Sequence, residues 1–236
     1  MSLDSTSGDD KYQALAFYIV ADVSYSMHDS GALAAANDLL KEVHDAIVAA
    51  PVIADVVRLG VMDFSDDAQV LLRLGDLRDV TTIPELKARG GTSFAAAFRQ
   101  LRQEIERDIP ALKADNYQVF RPAVFFITDG QPTDDHATLQ AAFADLTAKD
   151  FSYRPNIIPF GVGDATKTSV DPWVFPATGE KQMRSFVAKD GADPAKAITD
   201  MAHLLISSIL ASAGSVTDPS ATAALVLPED EDGDWL

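Results

Sequence analysis

Asp22 closes an apolar run, and Ser24 and Ser26 follow it at alternate positions in the stretch VADVSYSM over residues 20–27. These three oxygen-bearing side chains, delivered to the carboxyl end of a buried strand, could converge on a hard cation, because ligands of an open parallel sheet bind beyond those strand ends. Further along, Gly90-Gly91-Thr92-Ser93 sets a hydroxyl just ahead of a helix, after two glycines that let the backbone bend closely. Thr128-Asp129-Gly130 then places a second carboxylate after another buried strand. Each piece also has an ordinary structural account. A serine before a helix is commonly an N-cap, Gly-Gly-Thr-Ser a loop with a cap, and Asp-Gly a turn. Their order, each after a strand or loop of an alternating pattern, favours a joint chemical role.

The elements that must position them alternate along the chain. Ala14–Ala21 (ALAFYIVA) is nearly continuous in apolar residues, as a strand covered on both faces should be. Leu33, Ala36, Leu40, Val43 and Ile47 follow at helical steps. Val56–Phe64 and Ala68–Leu74 read as strands joined by the turn Ser65-Asp66-Asp67, too short a link for anything but an antiparallel hairpin. Phe94, Phe98, Leu101, Ile105 and Ile109 stripe a helix. Arg121–Thr128 is another buried strand, and Leu139, Phe143 and Leu146 mark a helix. Asn156–Val162 is a strand in which Pro159 suggests an irregular or outer position. Met183–Ala188 reads as a sixth strand, and Asp193-Pro194 opens a last helix through Ile198, Met201, Leu205 and Ile209. This pattern predicts a three-layer α/β/α, doubly wound, mostly parallel sheet. It implies one domain over residues 13–213, a flexible N-terminus over 1–12 and a solvated acidic tail over 214–236.

The composition narrows the function. The chain has 236 residues, 47% hydrophobic and 23% charged, so it can bury a core. Its 19 basic against 36 acidic side chains give a net charge of −17, a field that repels nucleic acid and anionic lipid. Cysteine is absent, which excludes disulfides, thiolate metal sites and cysteine nucleophiles and fits a reducing cytoplasm. The acidic opening is the reverse of a signal peptide. No apolar run reaches the ~18 residues a membrane span needs. The expectation is a soluble, cytoplasmic protein.

Asp22-x-Ser24-x-Ser26, Thr92 in GGTS and Asp129 in TDG together resemble the metal-ion-dependent adhesion site of von Willebrand factor A (vWA) domains, over roughly residues 12–213. FYIVADVSYSM, LGVMDFSDDA, GGTSFAAAF, FFITDGQPTD and PNIIPFGVG are similar to bacterial stand-alone tellurium-resistance (TerY-like) proteins. The resemblance implies a Rossmann-like sheet of six strands with one antiparallel edge strand. It implies that Ser24 and Ser26 contact a metal directly, that Asp22 and Asp129 supply charge and orient waters, and that Thr92 switches with conformation. One coordination position would stay open for a carboxylate of a protein partner. With only oxygen ligands, and few of them charged, Mg²⁺ is favoured, with Mn²⁺ or Ca²⁺ as alternatives, over Zn²⁺.

Other residues are weaker candidates. His28 borders Ser26, Asp164 follows a strand in GVGD, and Asp134-Asp135 suit a helix cap or a place at the rim. Asp66 and Asp67 are expected at the far end of the edge hairpin. Pro172–Pro176 (PWVFP) would expose two aromatics, either to pack on the domain or to meet a partner, and Trp235 and Leu236 could dock somewhere. The leading reading is a non-catalytic, metal-dependent protein-binding module. No nucleophile elbow, triad spacing or phosphate-cradling glycine loop is present. The competing reading is a Mg²⁺-dependent phosphoryl-transfer enzyme with Asp22 as nucleophile. Haloacid-dehalogenase-type phosphatases carry a second aspartate two residues on, where this chain has Ser24. A third reading is a metal-free scaffold with a vestigial site.

Overall fold

The computed structural model describes residues 11–179, 181–217, 225–227 and 235. In chain order the elements are β1 (Tyr12–Asp22), α1 (Tyr25–Asp29), α2 (Ala32–Val48), α3 (Pro51–Val56), β2 (Val57–Phe64) and β3 (Ala68–Gly75). Then come α4 (Phe94–Ala114), β4 (Tyr117–Val119), β5 (Ala123–Thr128), α5 (His136–Leu146), β6 (Asn156–Gly161), α6 (Lys167–Val170), β7 (Phe186–Val187) and α7 (Pro194–Thr217). Strand β1 is buried from Ala14 to Asp22 and lies between two parallel neighbours, β2 and β5. Alternate residues serve opposite layers. Phe17, Ile19 and Ala21 share a core with α2 and α7, while Ala16, Tyr18 and Val20 share one with α4 and α5. A strand covered on both faces has no polar side, which explains the unbroken apolar run.

The sheet order is β3-β2-β1-β5-β6-β7, with β4 paired in parallel to the start of β1. The β2–β3 hairpin is antiparallel, as its short turn requires, and every other pairing is parallel. The sheet therefore has seven strands rather than six. The additional β4 is three residues long, too short for a periodicity to mark. Pro159 does not lie at an edge, since β6 sits between β5 and β7. Its missing N–H costs no ladder bond on the β7 side. There Ile157 bridges Phe175 and the β7 pairing begins only at Phe160.

The C-terminal region differs most from expectation. Helix α7 runs to Thr217, past the boundary drawn at 213. Its span Pro194–Val216 is long and apolar enough, by length and composition, to cross a membrane, although no continuous apolar run announces it. Half of an 18-residue window within that span is buried, and Met201, Leu205 and Ile209 of α7 share a core with Leu40, Val43 and Ile47 of α2. Beyond it, Leu225 and Leu227 pack on this core, and Val226 exchanges hydrogen bonds with Ser208 and Ser212. Trp235 bridges Ala188 and stacks edge-on against Phe160 and Phe186. At these positions the tail is packed, not solvated. Residues 1–10 and Leu236 lie outside the described residues.

Candidate metal centre

Parallel strands bring their carboxyl ends to one side. Asp22, the last residue of β1, is level with Phe64 of β2, and β5 ends in Thr128 just before Asp129. Asp22 is fully buried. Its Oδ1 accepts from the Ser24 N–H at 2.8 Å and its Oδ2 from the Thr128 hydroxyl at 2.8 Å. The Ser24 and Ser26 hydroxyls lie 3.0 Å apart, and the Ser26 hydroxyl donates to Asp129 Oδ1 at 3.0 Å. Asp22, Ser24, Ser26 and Asp129 thus form one connected group of oxygens. Ser24 stands at the N-cap of α1, yet its side chain makes no capping bond. The ordinary role of a serine at this position does not account for its hydroxyl. Thr128, which completes the shell of Asp22, escaped the sequence reading. Its only signal was a hydroxyl at a strand end beside an aspartate.

Thr92 reaches the same end by a different route. The loop before α4 is fastened where Arg89 N–H donates to Val23 O at 2.8 Å and Ser93 N–H to Ser65 O at 2.6 Å. Gly91 N–H donates to Asp66 Oδ1 at 3.0 Å. Gly90 has φ +49°, and a Cβ there would overlap the Asp66 carboxylate, so only glycine fits. Thr133 donates twice to the Thr92 carbonyl, from its N–H at 2.8 Å and its hydroxyl at 3.1 Å. Thr92 is buried, and among the described residues no hydrogen bond joins its hydroxyl to the Asp22 group.

Among the neighbouring candidates, the Asp66-Asp67 turn and Trp173 stand differently from expectation, and the others do not. The Asp66-Asp67 turn is at the site end of the sheet, because β2 runs parallel to β1 and its turn emerges beside Asp22. Asp66 clasps the glycine loop, and Asp67 joins Asp63 in an ion pair to Arg89. Asp135 caps α5, whereas Asp134 accepts from Ser93 at 2.6 Å and Ala95 N–H at 3.1 Å and so helps cap α4. Asp164 is exposed at the rim, close enough to raise the pKa of Asp129. His28 is exposed and bonded to Asp29. Trp173 is not an exposed patch. It is 5% exposed, its indole N–H donates to Ser169 O at 2.9 Å, and its ring packs among Phe94, Phe98 and Phe143.

The electrostatics of the group are one-sided. Burial pushes the Asp22 carboxyl up to about 6, against the lowering effect of its bonds from Ser24 and Thr128. Burial also raises Asp129, and each aspartate lies in an acidic field, Asp22 in that of Asp129 and Asp129 in that of Asp164. Among the described residues no Lys, Arg or His is ion-paired to either carboxylate. Buried carboxylates ordinarily carry a positive partner. This donor set, two carboxylates with hydroxyls and no nitrogen or sulfur, fits a hard divalent cation in that role. The described residues contain no group of three or more His, Asp or Glu that would hold a metal on charge alone.

Residues 17–132 match the family model of the von Willebrand factor type A domain. No curated protein matches the sequence. Among solved structures, the pilus adhesin SpaC of Lactobacillus rhamnosus GG is similar with a TM-score of 0.62 at 15% identity, over 84% of this chain and 31% of that one. The SpRpn10 VWA domain is similar with a TM-score of 0.53 at 12% identity, over 78% of this chain and 94% of that one. Proximal thread matrix protein 1 of the mussel byssus, with a zinc-occupied metal-ion-dependent adhesion site, has a TM-score of 0.55 at 16% identity, over 85% and 49%. The chain thus spans about half the length of the mussel protein and about a third of the adhesin. At these identities the likeness concerns the fold, a vWA/Rossmann-like α/β architecture.

Proposed function

We propose that this protein is a non-catalytic binding module that engages a protein partner through a divalent metal held by Asp22, Ser24, Ser26, Thr92 and Asp129. The observation that carries this reading is the pairing of two buried carboxylates, bridged by serine hydroxyls, with no ion-paired cation among the described residues. Ser24 and Ser26 would bind the metal directly. Asp22, fixed by Ser24 N–H and the Thr128 hydroxyl, and Asp129 would supply charge and orient waters. Thr92 sits on a separately fastened loop and is free of the other four, which suits a ligand recruited when the site closes. When bound, the metal supplies a Lewis-acidic position for a carboxylate oxygen of the partner. The partner would present one Glu or Asp among neutral or basic residues, since Asp66, Asp67 and Asp164 make the rim acidic.

Mg²⁺ suits the oxygen donors best, with Mn²⁺ and Ca²⁺ as alternatives. The zinc in the mussel protein adds Zn²⁺ to the ions worth titrating. The likeness of the quoted motifs to TerY-like proteins favours a bacterial cytoplasmic setting in tellurium resistance, stress response or phospho-signalling. Against an enzyme stands the chemistry near Asp22, where the groups that bond it are hydroxyls and an N–H and the residue two positions on is Ser24 rather than a second aspartate. The test is calorimetric titration with each ion, followed by capture of partners with Mg²⁺ or EDTA present. One ion should bind per chain, and Ser24→Ala with Ser26→Ala should abolish both metal binding and capture. Metal binding unaltered in that double variant, or partner affinity untouched by EDTA, would overturn the reading.

A further inference from the structure

The end of the sheet opposite Asp22 gathers charge of the other sign. A cavity of about 510 Å³ opens between the last turns of α4 and the loops that enter β5 and β6. Lys113, Arg121, Lys149 and Arg154 line it, with Phe120 and Tyr153 as apolar walls. In a chain with 36 acidic and 19 basic residues, a cation ordinarily finds a carboxylate. Arg78, Arg89, Arg107 and Lys196 all do. Among the described residues, none of the four cations at this cavity has a carboxylate within ion-pair distance.

They are nonetheless held in place. Arg121 donates from Nε to Arg154 O at 3.0 Å and from Nη2 to Pro155 O at 3.2 Å, with its guanidinium 5.2 Å from the Phe175 ring centroid. Arg154 donates from Nη1 to Lys149 O at 2.7 Å. The Lys113 ammonium lies 4.6 Å over the Tyr153 ring. These contacts engage carbonyls and ring faces and leave the positive charges unneutralised. Burial first, and then the neighbouring Arg154 charge, push the Arg121 guanidinium pKa down. Asp115 and Asp150 flank the cluster in sequence but do not line the cavity.

We infer that this cavity binds a small phosphorylated molecule, whose phosphoryl oxygens are taken up by Arg121 and Arg154 and neutralised by Lys113 and Lys149. Guanidinium forks match phosphate geometry, and lysines serve phosphate as point charges. The volume falls in the range of small-molecule sites. It is a pocket rather than a track for a polynucleotide, which the net charge of the chain repels.

The test uses the whole protein in EDTA, so that the opposite end of the sheet holds no metal. Inorganic phosphate and pyrophosphate are titrated by calorimetry, with sodium chloride at matched ionic strength as control. Pyrophosphate should bind more tightly than phosphate and raise the melting temperature above the chloride control. Lys113→Gln with Lys149→Gln removes two charges without touching a carbonyl bond, and should weaken pyrophosphate about tenfold or more. Arg121→Gln with Arg154→Gln should abolish binding, and circular dichroism reports whether that variant folds. The lysine variant decides the matter if it does not. Pyrophosphate no more stabilising than chloride, or bound equally well by the lysine variant, would overturn the assignment.

Discussion

Strand β1 meets a buried carboxylate at two places and treats them differently. Tyr18, in its middle, donates to Asp108 of α4 at 3.0 Å, and that carboxylate also takes two bonds from Arg107, at 2.8 and 2.6 Å. Asp22, at its end, receives only a backbone N–H and a hydroxyl. Burial raises both acids, but the charge of Arg107 pulls Asp108 back, whereas Asp22 has dipoles alone and the further charge of Asp129 against it. Among the described residues, the fold places an arginine beside one buried acid and pairs no cation with the other. On the proposed function, this contrast separates a structural carboxylate from a binding one.

The pH dependence of stability should show it most strongly. Because the folded-state pKa of Asp22 is raised, from 3.8 to about 6, its contribution to stability is fully present below pH 4 and is lost as the pH rises through about 6. For metal-free protein this loss amounts to about 3 kcal/mol from Asp22. Saturating Mg²⁺ should offset it at pH 7 through linkage and do little at pH 4. Urea unfolding at the two pH values, in EDTA and in Mg²⁺, checks this. A Mg²⁺ effect of equal size at both would erase the contrast.

Asp108→Ala should cost about 2 kcal/mol, since it leaves the buried Tyr18 hydroxyl without its acceptor. The increment due to Mg²⁺ should be unchanged, which the same unfolding curves report. Asp22→Asn should do the opposite. In EDTA at pH 7 it should be as stable as the parent or about 1 kcal/mol more so, because a buried charge is gone and an acceptor for Ser24 N–H remains. Mg²⁺ should then add nothing. The smallest effect belongs to the rim. Asp164→Asn should leave stability within ~0.5 kcal/mol and weaken Mg²⁺ by less than about threefold at low salt, a difference that fades at high salt. Calorimetry at two ionic strengths reads it.

The division between these acids could be read from the chain only in part. Buried strands announce themselves because parallel neighbours on both sides demand apolar residues on both faces, and so Asp22 and Asp129 were visible as breaks in apolar runs. The long helices were visible through their stripes. The short α1, α3 and α6 were not, being too brief for a period to register. What remained hidden depends on contacts far apart in sequence. Thr128 reaches Asp22 across 106 positions, and Asp134 reaches back 41 positions to cap α4 through Ser93. The end of the sheet at which the Asp66 turn emerges follows from the parallel pairing of β1 and β2, which the local pattern does not contain. Trp173 read as exposed because its loop is rich in proline and lacks periodicity. Its partners Phe94, Phe98 and Phe143 come from two helices upstream in the chain.

The docking of Trp235 at Ala188 bears on how the sheet meets other sheets. Strand β7 is two residues long and is the last strand of the sheet on the side away from β6, the kind of margin onto which a foreign strand can add. The antiparallel bridge from Trp235 falls just past Val187, and the indole covers the ring of Phe186, so that margin is already taken. The opposite margin, β3, is eight residues long and only partly buried. It carries Arg73 and joins β2 through two shifts of register that bend it away from a flat template. The two borders of the sheet thus carry different features, each of a kind that hinders the addition of a foreign strand. Trp235→Ala would remove one of them, and concentration-dependent association through β7 is the behaviour it should release.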